Sequence, residues 1–366
     1  MSTASNEPET RPAEQRLLEI ASTLPGETIV ATSVGRAQAA AGLSAQRPEA
    51  SVTCWYLDSF QAALADQFQP DTTDIEILVA ADFPGNDGLL ASDLASDQST
   101  TEPEVDLVAI PLPTGGEAEL ARDILQAGFA NLKIGGHLVV SVDNPKDKWL
   151  HEQMKGFEKS VKVRPFEDAM VYFVEKTKPL KKIRDFSCEL AFKDEDHLIE
   201  LITRPGVFSH RKLDNGARQI LDSIEVFDDS RLLDIGCGCG SIALAAAKRN
   251  ASASVLAIDS HARAVDCTQR GIEKNGLTNM TALLNHDGQL DRNGQFDMVL
   301  ANPPYYADFT IARHFIETAV DALRPDGRVM LVTKRPTWYE ENLGRWLKEG
   351  EVFESRRYHI ATGIKP

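Results

Sequence analysis

From Arg231 to Thr333 short apolar, β-branched runs alternate with amphipathic stretches long enough to be helices, and this alternation narrows the possible folds more than any other feature of the chain. The runs Arg231 to Ile235, Ser254 to Asp259, Met280 to Leu284, Phe296 to Ala301 and Gly327 to Thr333 have the composition of buried strands, with helices running to Arg249, Lys274 and Leu323 between them. Such a repetition predicts a parallel sheet covered by helices on both faces. A further helix is expected over Trp338 to Lys348, followed by strands at Glu351 to Arg356 and Tyr358 to Ile364. Almost nothing separates the last two, so they must form an antiparallel hairpin, because a parallel crossover needs about a dozen residues or more.

The first half repeats this layout in weaker form. Val105-Asp106-Leu107-Val108-Ala109-Ile110-Pro111-Leu112-Pro113 aligns with Phe296-Asp297-Met298-Val299-Leu300-Ala301-Asn302-Pro303-Pro304 at an offset of 191. The same offset carries Leu132-Lys133-Ile134-Gly135-Gly136 onto Leu323-Arg324-Pro325-Asp326-Gly327, and two matches in one register predict a duplicated domain. Thr28 to Val34 followed by Gly35, and Val52 to Asp58, correspond less closely to the glycine loop and Asp259 of the second half, with the spacing drifting by about ten residues. The expected organisation is a disordered tail over residues 1–20, one domain over 21–178 and a second over 185–366. The boundary falls in the basic stretch Lys176 to Arg184, which contains Pro179, and short strands are expected from Asp185 to Val207.

A net charge of −16 speaks against a polyanionic partner, since nucleic-acid binding relies on Lys and Arg neutralising phosphates. The charge is uneven, however: residues 1–180 carry −14 and residues 181–366 only −2. Asp71 to Ile110 holds ten acidic residues and no basic one, and Asn86 to Pro103 within it has the composition of a solvated loop. The sequence has no run of 18 apolar residues and a polar, acidic N-terminus, which predicts neither a membrane span nor a secretory signal and leads to the expectation of a cytoplasmic protein. The five cysteines form no C-x-x-C pair and are odd in number, so reduced thiols and no metal site are expected.

Asp234-Ile235-Gly236-Cys237-Gly238-Cys239-Gly240 joins a strand to a helix. Glycines there allow a sharp turn and close approach to a ligand, and the helix N-terminus offers free N–H groups. By itself this pattern also fits a dinucleotide fingerprint. Asp259, ending the next strand, is placed to accept hydrogen bonds from ribose hydroxyls, or to cap the following helix, or both. Asn302-Pro303-Pro304-Tyr305 follows the fourth strand, at the sheet edge where ligands bind. An exocyclic amine on a heteroaromatic ring is a poor nucleophile because its lone pair is delocalised. The Asn302 side-chain oxygen and the Pro303 carbonyl can accept both its N–H bonds and favour a pyramidal nitrogen, the prolines fixing the carbonyl direction. Tyr305 offers a face on which a base can stack.

Together these residues resemble the class I S-adenosylmethionine-dependent amino-methyltransferases. Thr203-Arg204-Pro205-Gly206-Val207-Phe208-Ser209, with Leu213-Asp214 and Gly216 after it, is similar to the segment preceding the glycine loop in the ribosomal RNA guanine-N2 methyltransferases. That group is built as tandem methyltransferase-like domains of which only the C-terminal one keeps the cofactor and acceptor motifs. The resemblance implies an α/β protein of two tandem Rossmann-like class I methyltransferase domains, the N-terminal one degenerate and serving RNA docking or support. It also implies S-adenosylmethionine as cofactor, ribosomal RNA or the small ribosomal subunit as partner, and a chain acting as a monomer. Asp234, Gly236, Gly238 and Gly240 would then line the methionine part of the cofactor, Asp259 its ribose and Asp287 its adenine, with Phe208 and Ser209 nearby. Asn302, Pro303, Pro304 and Tyr305 would hold the acceptor base. Asn285-His286-Asp287-Gly288 also reads as a plain turn. The chain departs from the group's usual Asn-Pro-Pro-Phe-His in having Tyr305 and Tyr306, which keeps a stacking face and loses an imidazole. In the first half Pro111 stands where Asn302 does and the multi-glycine loop is absent, so that half is not expected to catalyse. Methylation of protein glutamine or nucleic-acid adenine uses the same Asn-Pro-Pro-Tyr chemistry, and a non-catalytic RNA-binding assembly factor is the alternative outside enzymology. Cys237 and Cys239 read as small loop fillers. His210 to Lys212, Lys334, Arg335, Arg356 and Arg357 are basic side chains that an RNA backbone can meet.

Overall fold

The expected strands of the second half are present with bounds close to those read from the sequence. In this computed structural model, which describes residues 9–69, 73–84, 105–291, 293–304 and 309–366, the chain divides into two units, Met1–Phe186 and Ser187–Pro366. The first unit runs α1 (Pro12–Ala21), β1 (Thr28–Ala31), α2 (Gln38–Gln46), β2 (Ser51–Tyr56), α3 (Ser59–Gln67), β3 (Glu76–Val79), β4 (Val105–Leu112), α4 (Ala118–Asn131), β5 (Leu132–Val142), α5 (Trp149–Lys155), β6 (Lys162–Pro165) and β7 (Met170–Glu175). The second opens on a hairpin of β8 (Cys188–Asp194) and β9 (His197–Thr203). It continues α6 (Asn215–Leu221), β10 (Arg231–Ile235), α7 (Ser241–Arg249), β11 (Ser254–Asp259), α8 (Ala262–Asn275), β12 (Met280–Leu284), β13 (Phe296–Ala301), α9 (Thr310–Ala322), β14 (Leu323–Thr333), α10 (Pro336–Asn342), β15 (Lys348–Ser355) and β16 (Tyr358–Ile364).

Both units build a seven-stranded sheet of one topology, β3-β2-β1-β4-β5-β7-β6 in the first and β12-β11-β10-β13-β14-β16-β15 in the second. Five strands of each are parallel, and the last hairpin inserts its second strand antiparallel to the rest. Successive side chains of a strand point to opposite faces, and in β10 Leu232 joins one core layer while Leu233 joins the other. The first layer takes Ile220 of α6, Ala243 and Ala246 of α7 and Ala264 and Cys267 of α8. The second takes Ala312, Ile316 and Ala319 of α9. Cover on both faces is why these strands are continuous apolar runs rather than alternating ones.

The duplication is visible in atomic detail at the offset of 191. The β4–β5 ladder breaks register between Val105 and Leu107, and the β13–β14 ladder breaks at the matching Phe296 and Met298. In each break an aspartate holds the neighbouring strand and a basic residue. Asp106 accepts from the Thr28 N–H at 2.9 Å and from Lys133 at 2.9 Å. Asp297 accepts from the Arg231 N–H at 2.7 Å and from Arg324 at 2.5 Å. The drift of spacing nearer the N-termini lies in one connection, residues 80–104 in the first unit against 285–295 in the second. The acidic stretch Asn86 to Pro103 belongs to that insertion and lies outside the described residues.

Two expectations need correction. The tail over residues 1–20 is shorter than expected, because Pro12–Ala21 is a helix with Ala13, Leu17 and Ala21 buried in the first unit's core. Proline at its first turn fits a helix start, and the apolar side chains recur at helical spacing within a segment whose ends are charged. The helix expected over Trp338 to Lys348 stops at Asn342, a single tight turn follows at Leu343–Arg345, and Lys348 already pairs with Ile364. Gly344 and Gly350 disfavour helix there, and the open edge of β16 offers a ladder instead. In the basic stretch at the boundary Lys178, Lys181, Lys182 and Arg184 are exposed, but Lys176 is buried and its ammonium donates to the carbonyls of Ala130 and Leu132 at 2.7 and 2.6 Å.

An arginine ties the helix before the first central strand to the rest of each unit. Arg249 donates to the carbonyls of Leu221 and Ile224 at 2.8 and 2.9 Å, while Arg47 donates to those of Ala21, Ser22 and Leu24. Arg249 also forms a two-pronged pair with Asp194 at 2.8 and 3.0 Å, both side chains being buried. Arg249→Ala would leave the Asp194 carboxylate facing only Arg218 at 3.5 Å. Removing one partner of a buried pair costs about 3–5 kcal/mol, and we expect a loss of that order in equilibrium urea unfolding of the second unit.

Candidate active site

Three strand ends stand side by side in the second unit. Ile235 of β10 pairs with Ile258 of β11 on one flank and Ala301 of β13 on the other, so the loop after β10, Asp259 and Asn302 share the carboxyl edge of the sheet. The order of strands reverses around β10, and the crevice at such a point is where open α/β sheets bind ligands.

The loop is shaped by its glycines. Gly236, Gly238 and Gly240 have φ of 70°, 57° and 78°, the left-handed region that other residues rarely enter. A Cβ at Gly236 would meet the Phe315 ring at 3.1 Å and one at Gly240 would meet Thr268 at 2.9 Å, whereas one at Gly238 would project into open space. The loop therefore packs closely on the protein at two points and presents bare backbone outward at the third. Between them Cys237 and Cys239 are buried fillers. Burial pushes the Cys237 thiol well above its ordinary value, with the charges of Asp259 and Asp234 adding to the rise, and pushes that of Cys239 up to about 11. Neither is a reactive thiolate, and no cluster of His, Cys, Asp and Glu suited to a metal exists among the described residues.

Asp234, one residue before the end of β10, is 1% exposed, and neither of its carboxylate oxygens has a formed hydrogen bond. Burial pushes its carboxyl up to about 7, partly offset by the nearby Ala243 N–H and increased by the negative charge of Asp259. A buried anion without a partner is costly, and it becomes favourable once a cation is brought against it. Asp259 holds both the loop and the start of the next helix. Its carboxylate accepts from the Gly238 N–H at 2.9 Å, holding the loop, and from the His261 N–H at 2.9 Å, at the start of α8.

Asn302 follows β13 directly, with Pro303 buried behind it. Its amide nitrogen donates to the Asp214 carboxylate at 2.8 Å. Tyr305 and Tyr306 lie outside the described residues. The segment before α6 is a run of tight turns in which Val207 is buried and Phe208 is 54% exposed. Ser209 sits at φ 61° and donates to the Lys212 carbonyl at 3.1 Å. Helix α8 grips this segment through Arg263, which donates to the Pro205 carbonyl at 2.9 Å, and through Asp266, which pairs with Arg204 at 2.9 Å. Asp287 is used locally: its carboxylate accepts from the Gln289 N–H at 2.9 Å while Asn285 accepts from the Gly288 N–H at 2.9 Å, a closed turn on the exposed side of the β12 end. Of the basic side chains, His210 bonds Thr203 at 2.8 Å, Lys334 and Arg335 lie over the rings of Tyr358 and Phe309, and Arg356 pairs with Asp222.

Reasoning from sequence passed over Arg263 and the Asp214–Asn302 pair as parts of the site. Asp214 caps α6 through the Ala217 N–H, and nothing in linear spacing joins it to Asn302, 88 positions away.

Residues 198–362 match the family model of the methyltransferase small domain. Most of the C-terminal unit is thus similar to that family. The ribosomal RNA small subunit methyltransferase C of Hahella chejuensis is 33% identical to this chain over 186 residues, which cover 48% of the chain and 52% of that protein. The protein of the same name from Pseudoalteromonas translucida is 26% identical over 325 residues, 86% of the chain and 88% of the relative. The chain thus spans about half the length of the first curated relatives it matches, at 52% and 49%. The T. thermophilus 16S rRNA N2 G1207 methyltransferase, solved in complex with AdoMet and guanosine, has the same fold with a TM-score of 0.76 over 97% of this chain and 92% of that one, at 20% identity. Two methyltransferase-like sheets in tandem are therefore its architecture as well.

In the C-terminal unit Asp234 makes stability depend on pH. Its folded value of about 7 lies above the ordinary 3.8. Between those values the folded state holds a proton that the unfolded chain has released, so stability is fully present below the window and falls as pH rises through it. Thermal unfolding of ligand-free Asp234→Asn should show a flatter pH dependence across that window and a higher midpoint than the parent above it. An unchanged dependence would mean that the Asp234 charge is compensated within the fold.

Proposed function

We propose that the C-terminal unit transfers a methyl group from S-adenosylmethionine to the exocyclic N2 amine of a guanine in ribosomal RNA. The observation that carries this reading is the seating of Asn302-Pro303 on the strand next to a glycine loop floored by the partnerless carboxylate of Asp234. The names of the relatives, and the guanosine and AdoMet bound to the T. thermophilus enzyme, point the same way.

The residues fit such a cofactor. Asp234 suits an ammonium such as that of its methionine part, and Gly236, Gly238 and Gly240 leave room for the chain that follows. Asp259 already fixes the loop through one oxygen and suits ribose hydroxyls at the same carboxylate. Phe208 offers an exposed face beside the crevice, and Ser209 helps hold the turn that carries it. Asp287 would meet adenine from a closed turn. Once bound, the cofactor supplies a methyl whose bond to a positive sulfur breaks with the electron pair remaining on sulfur. The Asn302 oxygen and the Pro303 carbonyl accept the two N–H bonds of the guanine amine and turn its lone pair out of the ring plane. That lone pair would then take the methyl, and one proton would pass from nitrogen to water. Alignment is the main contribution, since restricting two reactants to the reactive geometry is worth many orders of magnitude in rate.

The N-terminal unit takes no part in this chemistry. Pro111 supplies no amide, and the loop after β1 is already filled by the Glu14 carboxylate, which accepts from the N–H groups of Val34 and Ala39 at 2.8 and 3.1 Å. Its role is docking or support. The same reading makes the protein cytoplasmic, active as a single chain and metal-independent, with ribosomal RNA or the small subunit as partner. Among the described residues no helix is long and apolar enough to cross a membrane. Methylation of protein glutamine is disfavoured because that group usually pairs its catalytic domain with a small helical N-terminal domain, whereas the first unit here is a seven-stranded α/β sheet.

The test is incubation with labelled cofactor and either ribosomal RNA or ribosomal particles, followed by nucleoside analysis. Label on guanosine is expected; label on adenosine or on protein glutamine would overturn the reading. Asn302→Ala should keep cofactor affinity by calorimetry and lower turnover by about 100- to 1,000-fold, the size of effect seen when one donor or acceptor aimed at the reacting group is lost.

A further inference from the structure

Asp214 holds two groups with one oxygen. It is the N-cap of α6, accepting from the Ala217 N–H at 3.0 Å, and the same Oδ2 accepts from the amide nitrogen of Asn302 at 2.8 Å. We propose that Asp214 is a positioning residue for methyl transfer, whose carboxylate decides which end of the Asn302 carboxamide meets the substrate amine. The proposal rests on the amino-methyltransferase reading of this unit.

A carboxamide has an acceptor end and a donor end of nearly equal size, and only the acceptor end can hold an amine's N–H. Left to itself the Asn302 side chain can present either. A carboxylate only accepts, so the NH2 group must face Asp214 and the oxygen must face away from it. The bond is charge-assisted and therefore strong. It also pulls positive charge toward the nitrogen end of the amide, and in a chain of hydrogen bonds this makes the oxygen a better acceptor. The substrate nitrogen becomes positive as the new bond forms, and its N–H groups become stronger donors. An acceptor enriched by Asp214 is then worth more in the transition state than in the ground state, which is the condition for accelerating the step.

The N-terminal unit provides an internal comparison. Arg47 and Arg249 bond the carbonyls at the ends of α1 and α6, setting Ala21 against Leu221. Seven positions before each stands an acidic residue, Glu14 in the first unit and Asp214 in the second. Where Pro111 replaces the amide, the acid remains but turns elsewhere: Glu14 is fully buried and holds Ser33 and Val34 of the loop after β1 and Ala39 in the first turn of α2. The acid contacts the acceptor position only in the unit that has an amide there.

The test uses the full chain. Asp214→Ser keeps a helix cap but is too short to reach Asn302, and Asp214→Asn keeps cap, length and an acceptor while losing the charge. With cofactor affinity within about twofold of the parent, Asp214→Ser should lower single-turnover methylation of ribosomal RNA by about 10- to 100-fold, as expected for a misplaced reacting partner, and Asp214→Asn should recover part of the loss. In an Asn302→Ala background the serine substitution should add little, because paired residues are not additive. The side-chain amide resonances of Asn302, assigned by their absence in Asn302→Ala, should move in Asp214→Ser. An equal loss in both backgrounds, or unmoved Asn302 amide resonances, would reduce Asp214 to a cap and overturn the proposal. A full rate in Asn302→Ala would instead overturn the acceptor assignment beneath it.

Discussion

Everything at the crevice depends on the reversal of strand order at β10. The chain leaves β10 through α7 and reaches β11, then returns past β10 to lay down β13 on its other flank. Helices α7 and α8 consequently pack on one face and α9 on the other. Loops from adjacent strand ends must diverge there, and the gap they leave is floored by backbone with its polar groups turned outward. The glycine loop, Asp259 and Asn302 share one edge of the sheet because each lies at a strand end at this divergence, with no long connection in which their placement can drift.

Much of this was legible beforehand, for reasons that differ from element to element. The central strands announce themselves because burial on both faces demands unbroken apolar runs, and the Gly236 to Gly240 spacing because three left-handed residues tolerate little else. The Asn302 motif was legible because its position after a strand is part of its meaning. Helix α1 was not, since its charged flanks and short apolar stripe resemble a solvated terminus until Leu17 and Ala21 are seen in the core. The end of α10 was missed because the competing option, pairing with β16, is a tertiary gain that local propensity does not contain. The contact of Asp214 with Asn302 and the grip of Arg263 on Pro205 join distant positions, and one sequence carries no signal for such pairs. Asp287 illustrates the opposite case, in which two uses of a residue were visible and the local turn is plain in the structure.

The two halves show which parts of a duplicated frame are fixed by folding and which by the site. The register break in the fourth ladder, its aspartate, the basic partner and the carbonyl-binding arginine are present in both units at corresponding places. These features close strands and helix ends. The glycine loop, the strand-end amide and the orphaned carboxylate occur in only one unit. The same sheet topology is built in the first unit without them, so the frame does not depend on them.

Glu14 gives that difference a consequence for ligand binding. Loop N–H groups that are closed by the fold's own side chain are no longer available to a ligand. A fold that keeps a buried carboxylate waiting for a cation is stabilised in proportion to the logarithm of ligand concentration above its dissociation constant. On the proposed reading, binding adds stability to the second unit, whereas in the first the N–H groups of Val34 and Ala39 are already closed by Glu14.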